Sequence, residues 1–119
     1  MVKDNLIQQK SFEFSLMIIE LYKKLSVAKE FIISKQLLRS ATSIGANVEE
    51  AIAGQSKKDF LHKMTIASKE ARETRYWLKL LDKSQIVTID NRLHLQEVES
   101  IINILTKIVK TSSKSIQNL

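Results

Sequence analysis

Residues 56–83 read SKKDFLHKMTIASKEARETRYWLKLLDK, and the spacing within this stretch decides the fold of the whole 119-residue chain. Phe60, Met64, Ala67, Ala71, Thr74, Leu78 and Leu81 fall at alternating steps of four and three. That repeat marks one face of an α-helix. Sustained over seven positions, it is the heptad-like seam along which bundle helices pack at shallow angles. Ser56 stands where an N-cap belongs, and Asp59 follows three residues later in the manner of a capping box. At roughly 1.5 Å of rise per residue, a helix over Lys57 to Lys83 is about 40 Å long, a length that suits a bundle.

The same reading extends in both directions. Before this stretch, Leu37, Ala41, Ile44, Val48 and Ile52 predict a helix from about Lys35 to Ala53, with Ser34 as its N-cap. Gly54 is expected to turn left-handed just past its end. Gln36, Ser40, Ser43 and Asn47 form a small or polar line beside that face. Gly45 lies mid-helix, where glycine costs about 1 kcal/mol against alanine, and a close approach by a neighbouring helix would account for it. Earlier still, Ile7, Ser11, Phe14, Ile18, Leu21 and Leu25 predict a helix from about Asn5 to Ser26, capped by Asp4. A second apolar line, Phe12, Leu16 and Ile19, widens its apolar arc. Val27 to Ile33 reads as a connection.

After the central stretch, Ser84 to Asn91 reads as a short loop whose Ile86, Val87 and Ile89 cover the end of the core. A fourth helix is expected from about Arg92 to Ser112, with Asp90 as its cap. Leu95, Val98, Ile102, Leu105 and Val109 would point inward, with Ile101, Ile104 and Ile108 alongside. The polar tail from Ser113 is expected to fray. Four helices on short connections run antiparallel to their neighbours. The expected fold is therefore all-α, a single up-down-up-down four-helix bundle domain over residues 1–119.

Composition agrees with long uninterrupted helices. There is no proline, and there are only two glycines. No cysteine is present, which excludes disulfides and cysteine-based zinc sites. The residues from Met1 to Leu6 lack the apolar core of a signal peptide, and runs such as Leu16-Met17-Ile18-Ile19 are too short to span a bilayer, so the chain reads as cytoplasmic. The formal net charge of +6 favours contact with polyanions.

The face of the third predicted helix opposite its seam carries Lys58, His62, Thr65, Lys69, Arg72, Tyr76, Lys79 and Lys83. It is a basic stripe with one aromatic. Such cations track phosphates and release counterions, and Tyr76 is placed to stack on an unpaired base. Lys35 and Arg39 add charge on the second helix. A plain solvated lysine face is the alternative reading of the same stripe. A third line on this helix, Asp59, Lys63, Ile66, Glu70, Glu73, Trp77 and Leu80, flanks the seam. Its large apolar members, Ile66, Trp77 and Leu80, are candidates for an oligomer interface, with completion of a wide core as their other reading.

Enzyme chemistry finds no support in this inventory. Di-metal bundles use paired Glu-x-x-His motifs, whereas the nearest match is one Asp59-x-x-His62 with His62 on the outer face and His94 far along the chain. Glu49, Glu50, Glu70 and Glu73 are more simply partners for Arg39, Arg72 and Arg75. No glycine loop is present to cradle phosphate, and no serine sits in an activating motif with a histidine. No cofactor or metal is expected.

Several stretches carry a family resemblance. They are Lys10 to Phe14, Ser34 to Ala41, Ser43 to Ala51, Asp59-Phe60, Ala67 to Ala71 and Glu73 to Leu78. Together they resemble the bacterial 23S rRNA intervening-sequence proteins over roughly residues 5 to 110. The resemblance implies antiparallel four-helix bundles assembled into ring-shaped homopentamers. A similar basic accessory protein of diversity-generating retroelements binds nucleic acid and a reverse transcriptase. For many members no function is known, and the family supplies no catalytic residues. Lys35 and Arg39 fall within the matched second helix, and Arg75 within the matched third.

The expected function is thus a non-enzymatic, oligomeric bundle that binds RNA or DNA through Lys35, Arg39, Lys69, Arg72, Arg75, Tyr76, Lys79 and Lys83. The alternative is a protein–protein adaptor or scaffold ring with no nucleic acid contact.

Overall fold

Apolar residues at helical spacing hide only if several helices share them, and four do. The computed structural model describes the backbone of residues 2–118 and the side chains of residues 6–118. Its elements are α1 (Val2–Val27), α2 (Ile33–Ile52), α3 (Lys57–Ser84) and α4 (Arg92–Gln117). Each helix packs on the next, and α4 closes back on α1. The bundle measures 52 × 22 × 22 Å. Gln8 near the start of α1 meets Glu49 near the end of α2, and Lys57 at the start of α3 meets Ser115 near the end of α4, as antiparallel neighbours require.

The core follows the predicted faces closely. Ile7, Ser11, Phe14, Ile18, Leu21 and Leu25 of α1 are buried, as are Met64, Ala67, Ala71, Thr74, Leu78 and Leu81 of α3. In α4 the inward residues are Val98, Ile101, Ile102, Leu105 and Ile108, while Leu95, Ile104 and Val109 pack partly against them. In α2, Ala51 takes the last core position and Ile52 is left exposed. Of the predicted second line of α1, Phe12 and Leu16 face out, 62% and 50% exposed, and Ile19 is half-buried. Of the three loop residues expected to cover the core, Val87 and Ile89 do so and Ile86 is exposed.

A pair of hydroxyls meets in the interior between α2 and α3. The Thr74 hydroxyl oxygen lies 2.8 Å from both Ser40 Oγ and the Glu70 carbonyl oxygen, so both buried hydroxyls are satisfied within the α2–α3 seam.

The helix ends depart from expectation in instructive ways. Ser56 caps α3 as read, its side chain accepting from Asp59 N. Ser34, however, lies inside the first turn of α2, and its Oγ donates to the Glu30 carbonyl oxygen. The cap is the Glu30 carboxylate, which accepts from the backbone N–H groups of Ile32, Ile33 and Ser34. Gly54 does not turn left-handed; Lys29 (φ 63°) and Gln85 (φ 47°) do. At Lys29 the chain closes a Schellman motif, with Lys29 N bonded to Ser26 O and Glu30 N to Leu25 O.

At the start of α4 the cap position is Asn91, and Asp90 accepts from Arg92 N. Arg92, through its guanidinium and then its backbone N–H, holds the Asp90 carboxyl down at about 2. The tail expected to fray continues α4 to Gln117. The backbone of α1 is already helical at position 4, and the Asp4 side chain, expected as its cap, lies outside the described residues.

Gly45 lies against α1, where a Cβ added to it would sit 3.5 Å from the Ser11 carbonyl oxygen. The helices approach closely, yet that distance is ordinary van der Waals contact. Gly45→Ala should therefore raise stability by about 0.5–1 kcal/mol through helix propensity, read as a higher urea midpoint with an unchanged slope. A lower midpoint would mean that the contact does not tolerate the methyl group.

Candidate nucleic-acid interface

The seam of α3 turns its opposite side to water, and the predicted stripe lies there. Lys58, His62, Lys69, Arg72, Tyr76, Lys79 and Lys83 are exposed, and Thr65 is half-buried. Lys69 and Lys83 are about 21 Å apart along the axis at 1.5 Å per residue. Tyr76 is 55% exposed, and its ring packs edge-on to Trp77 at 5.0 Å between centroids.

The cations split into two groups by their partners. Arg39 on α2 lies between Glu70, at 3.3 Å, and Glu73. The Glu73 hydrogen bond is the main cause that raises the Arg39 pKa above its ordinary value. Glu73 is lowered in turn, first by the Trp77 indole N–H and then by Arg39. On the other flank, Arg75 Nη1 donates to both Glu99 oxygens, at 2.8 and 2.9 Å. Arg39 and Arg75 thus tie α3 to its two neighbours.

Lys35, Lys69, Arg72, Lys79 and Lys83 form no ion pair among the described residues. Arg72 Nη2 bonds only to a neutral oxygen, Thr106 Oγ1, at 3.3 Å. Of the acidic residues expected to serve the arginines, Glu70 and Glu73 do so at Arg39, whereas Glu50 pairs with Lys63 and Glu49 accepts from Gln8.

Sequence reasoning missed the cations of α4. Lys110 and Lys114 line a groove shared with Ser68 and Arg72 of α3. A signal for them was present, because from Ser100 onward the chain carries three lysines and no acidic residue. The proposed oligomer residues Ile66, Trp77 and Leu80 are all half-buried, and Trp77 packs against the core. On α1, Phe12 and Leu16 are large apolar side chains exposed one turn apart.

Among the described residues, no group of three or more histidine, cysteine, aspartate or glutamate side chains is placed to hold a metal ion. His62 is exposed, whereas His94 is half-buried beside the 88–91 loop. Burial and then the Lys24 charge lower the His94 pKa, with Asp90 opposing them. No helix of the described chain is long and apolar enough to cross a membrane.

Comparison with known proteins places this geometry in a lineage. No curated protein matches the chain. The crystal structure of a protein of unknown function from the S23 ribosomal protein family of Bacteroides thetaiotaomicron VPI-5482 is 46% identical to it, with a TM-score of 0.84. The match covers 91% of this chain and 98% of that one. Residues 3–110 match the family described as the 23S rRNA-intervening sequence protein. With a match of that extent and a solved relative of the same architecture, the chain belongs to the 23S rRNA-intervening sequence protein family.

Proposed function

We propose that this protein is a non-enzymatic bundle that binds RNA or DNA through the outer face of α3. The observation that carries the reading is the division of its cations. Arg39 and Arg75 are neutralised by carboxylates across the helix seams, while Lys69, Arg72, Lys79 and Lys83 reach water with no acidic partner among the described residues. Exposed cations in one row repel one another, and a chain of phosphates relieves that repulsion while releasing counterions. Contacts of this kind position a backbone without reading bases, so binding should be largely independent of sequence. Lys35 adds to the same field from α2. Arg39 and Arg75, expected at first among the binding residues, act more through the bundle than through a ligand.

The test is a Lys69→Glu, Arg72→Glu, Lys79→Glu triple variant. It is titrated against a structured RNA and a single-stranded DNA by fluorescence anisotropy at several salt concentrations. Affinity should fall by roughly a hundredfold or more at low salt. The slope of log affinity against log salt should flatten by about 2–3, because each cation withdrawn from a phosphate lowers it by about one unit. Unchanged affinity and slope would remove α3 from the interface. Absence of any binding by the unaltered protein at low salt would overturn the reading altogether.

A second reading, a protein–protein adaptor or scaffold ring, is favoured by Phe12 and Leu16, two large apolar side chains one turn apart and exposed on α1. The ring-shaped homopentamer implied by the family resemblance is part of both readings. A nuclease-treated pull-down that returns one defined protein, with nucleic acid binding undetectable, would favour the adaptor.

A further inference from the structure

The α3–α4 groove holds donors on both of its walls. Arg72 and Ser68 stand on the α3 side, and Lys110, Ser113 and Lys114 on the α4 side. No carboxylate lines it, and α4 carries none beyond Glu99. Glu99 is itself held by Arg75, which bridges the two helices one turn beyond Arg72. Lys57 Nζ donates to Ser115 Oγ toward the opposite end. Helices packed in a bundle lie about 8–10 Å apart, so the groove between their outer surfaces is narrow and suits one extended chain.

We infer that this groove seats the sugar–phosphate backbone of an unpaired nucleic acid strand, with Lys110, Lys114 and Arg72 on its phosphates and Tyr76 stacked on one of its bases. The inference rests on the nucleic-acid reading above and deepens it, because it selects unpaired strands and adds residues on a second helix. The hydroxyls of Ser68 and Ser113 supply neutral donors between the cations, suited to phosphate and sugar oxygens rather than to base edges. Tyr76 lies one helical turn from Arg72 on the same helix, exposed, with its ring edge braced by Trp77. A duplex offers no free base face to such a ring, and an unpaired strand does.

The experiment compares 12-nucleotide single-stranded RNA and DNA probes with a 12-base-pair RNA duplex (lengths on the order of one groove). The proteins are the unaltered chain, Lys110→Glu/Lys114→Glu, Lys110→Arg/Lys114→Arg, and Tyr76→Ala. The glutamate pair should weaken both single strands by about tenfold or more. The arginine pair should bind as the unaltered protein does. Tyr76→Ala should weaken single strands by roughly five- to a hundredfold and leave the duplex within about twofold.

These side chains are exposed, so thermal unfolding should coincide for all four proteins. Equal binding of single strands by the glutamate pair overturns the inference even if the α3 triple variant loses affinity, in which case the broader reading stands. A Tyr76→Ala loss equal on duplex and single strands overturns it as well. If the unaltered protein binds none of the probes, both readings fail together.

Discussion

Phe14→Ala should lower the stability of the bundle by about 3–5 kcal/mol. Phe14 is 1% exposed and is the bulkiest of the fully buried side chains. Truncation removes its transfer free energy and leaves a void that four helices cannot close, because each is held at both of its seams. A domain of 119 residues has about 6–18 kcal/mol of stability at 0.05–0.15 kcal/mol per residue, so this one change removes a large share. The melting temperature should drop by roughly 10–20 °C. Phe12 provides the internal control. It is two residues away and about 200° round the same helix, and it is 62% exposed. Phe12→Ala should cost less than about 1 kcal/mol. Urea unfolding of the two variants reads the contrast directly. Equal losses at both positions would mean that the face of α1 that supports the core has been misassigned.

That contrast shows what the sequence could and could not convey. Positions stepping by three and four marked Ile7, Phe14 and Ile18 as inward, and they also marked the α3 seam from Met64 to Leu81. Periodicity is a property of a helix alone, so it is legible one helix at a time. How wide the buried arc becomes depends on how neighbours are arranged. The arc of α1 therefore reads as wider than four helices alone would hide, but nothing in the sequence says that Phe12 and Leu16 are the members left outside the core.

The same limit governs the interface. The α3 stripe was readable because its residues share one helix. The pairing of Arg39 with Glu70 and Glu73, and of Arg75 with Glu99, joins residues 24 to 34 positions apart, and no local pattern encodes it. Likewise Lys110 and Lys114 gain meaning only when α4 lies beside Arg72. A groove belongs to two elements, and a linear reading sees one at a time.

The left-handed turns were hidden for a different reason. Lys29 and Gln85 adopt positive φ without being glycine or asparagine, so composition points elsewhere and Gly54 draws the expectation. At Lys29 the surrounding Schellman hydrogen bonds and the carboxylate that follows offset the backbone cost of about 1 kcal/mol.

Glu30→Ala tests that junction, and the expected loss is about 2–3 kcal/mol. Glu30 is 8% exposed in a connection flanked by exposed Phe31 and Ile32, an unusual place for a carboxylate. Its two oxygens explain the burial. Oε2 accepts from Ile32 N at 2.8 Å and Ile33 N at 3.0 Å, and Oε1 accepts from Ser34 N at 2.8 Å. These are donors that the first turn of a helix leaves without partners, and a negative charge there also meets the positive end of the helix dipole. Alanine removes both acceptor oxygens and with them all three hydrogen bonds, and Ser34 is fully buried, so water does not replace the bond at its N–H.

Glu30→Gln keeps one carbonyl oxygen for Ile32 and Ile33 but turns an amide donor toward Ser34 N or leaves it bare. Its loss should fall between, near 1–2 kcal/mol. Amide hydrogen exchange separates this mechanism from general destabilisation. In Glu30→Ala the amides of Ile33 and Ser34 should lose protection beyond the global change, while those of Leu78 and Leu81 in α3 should follow the global change alone. Exchange that accelerates uniformly, or a loss below about 0.5 kcal/mol, would show that the start of α2 is held by its packing and not by this carboxylate.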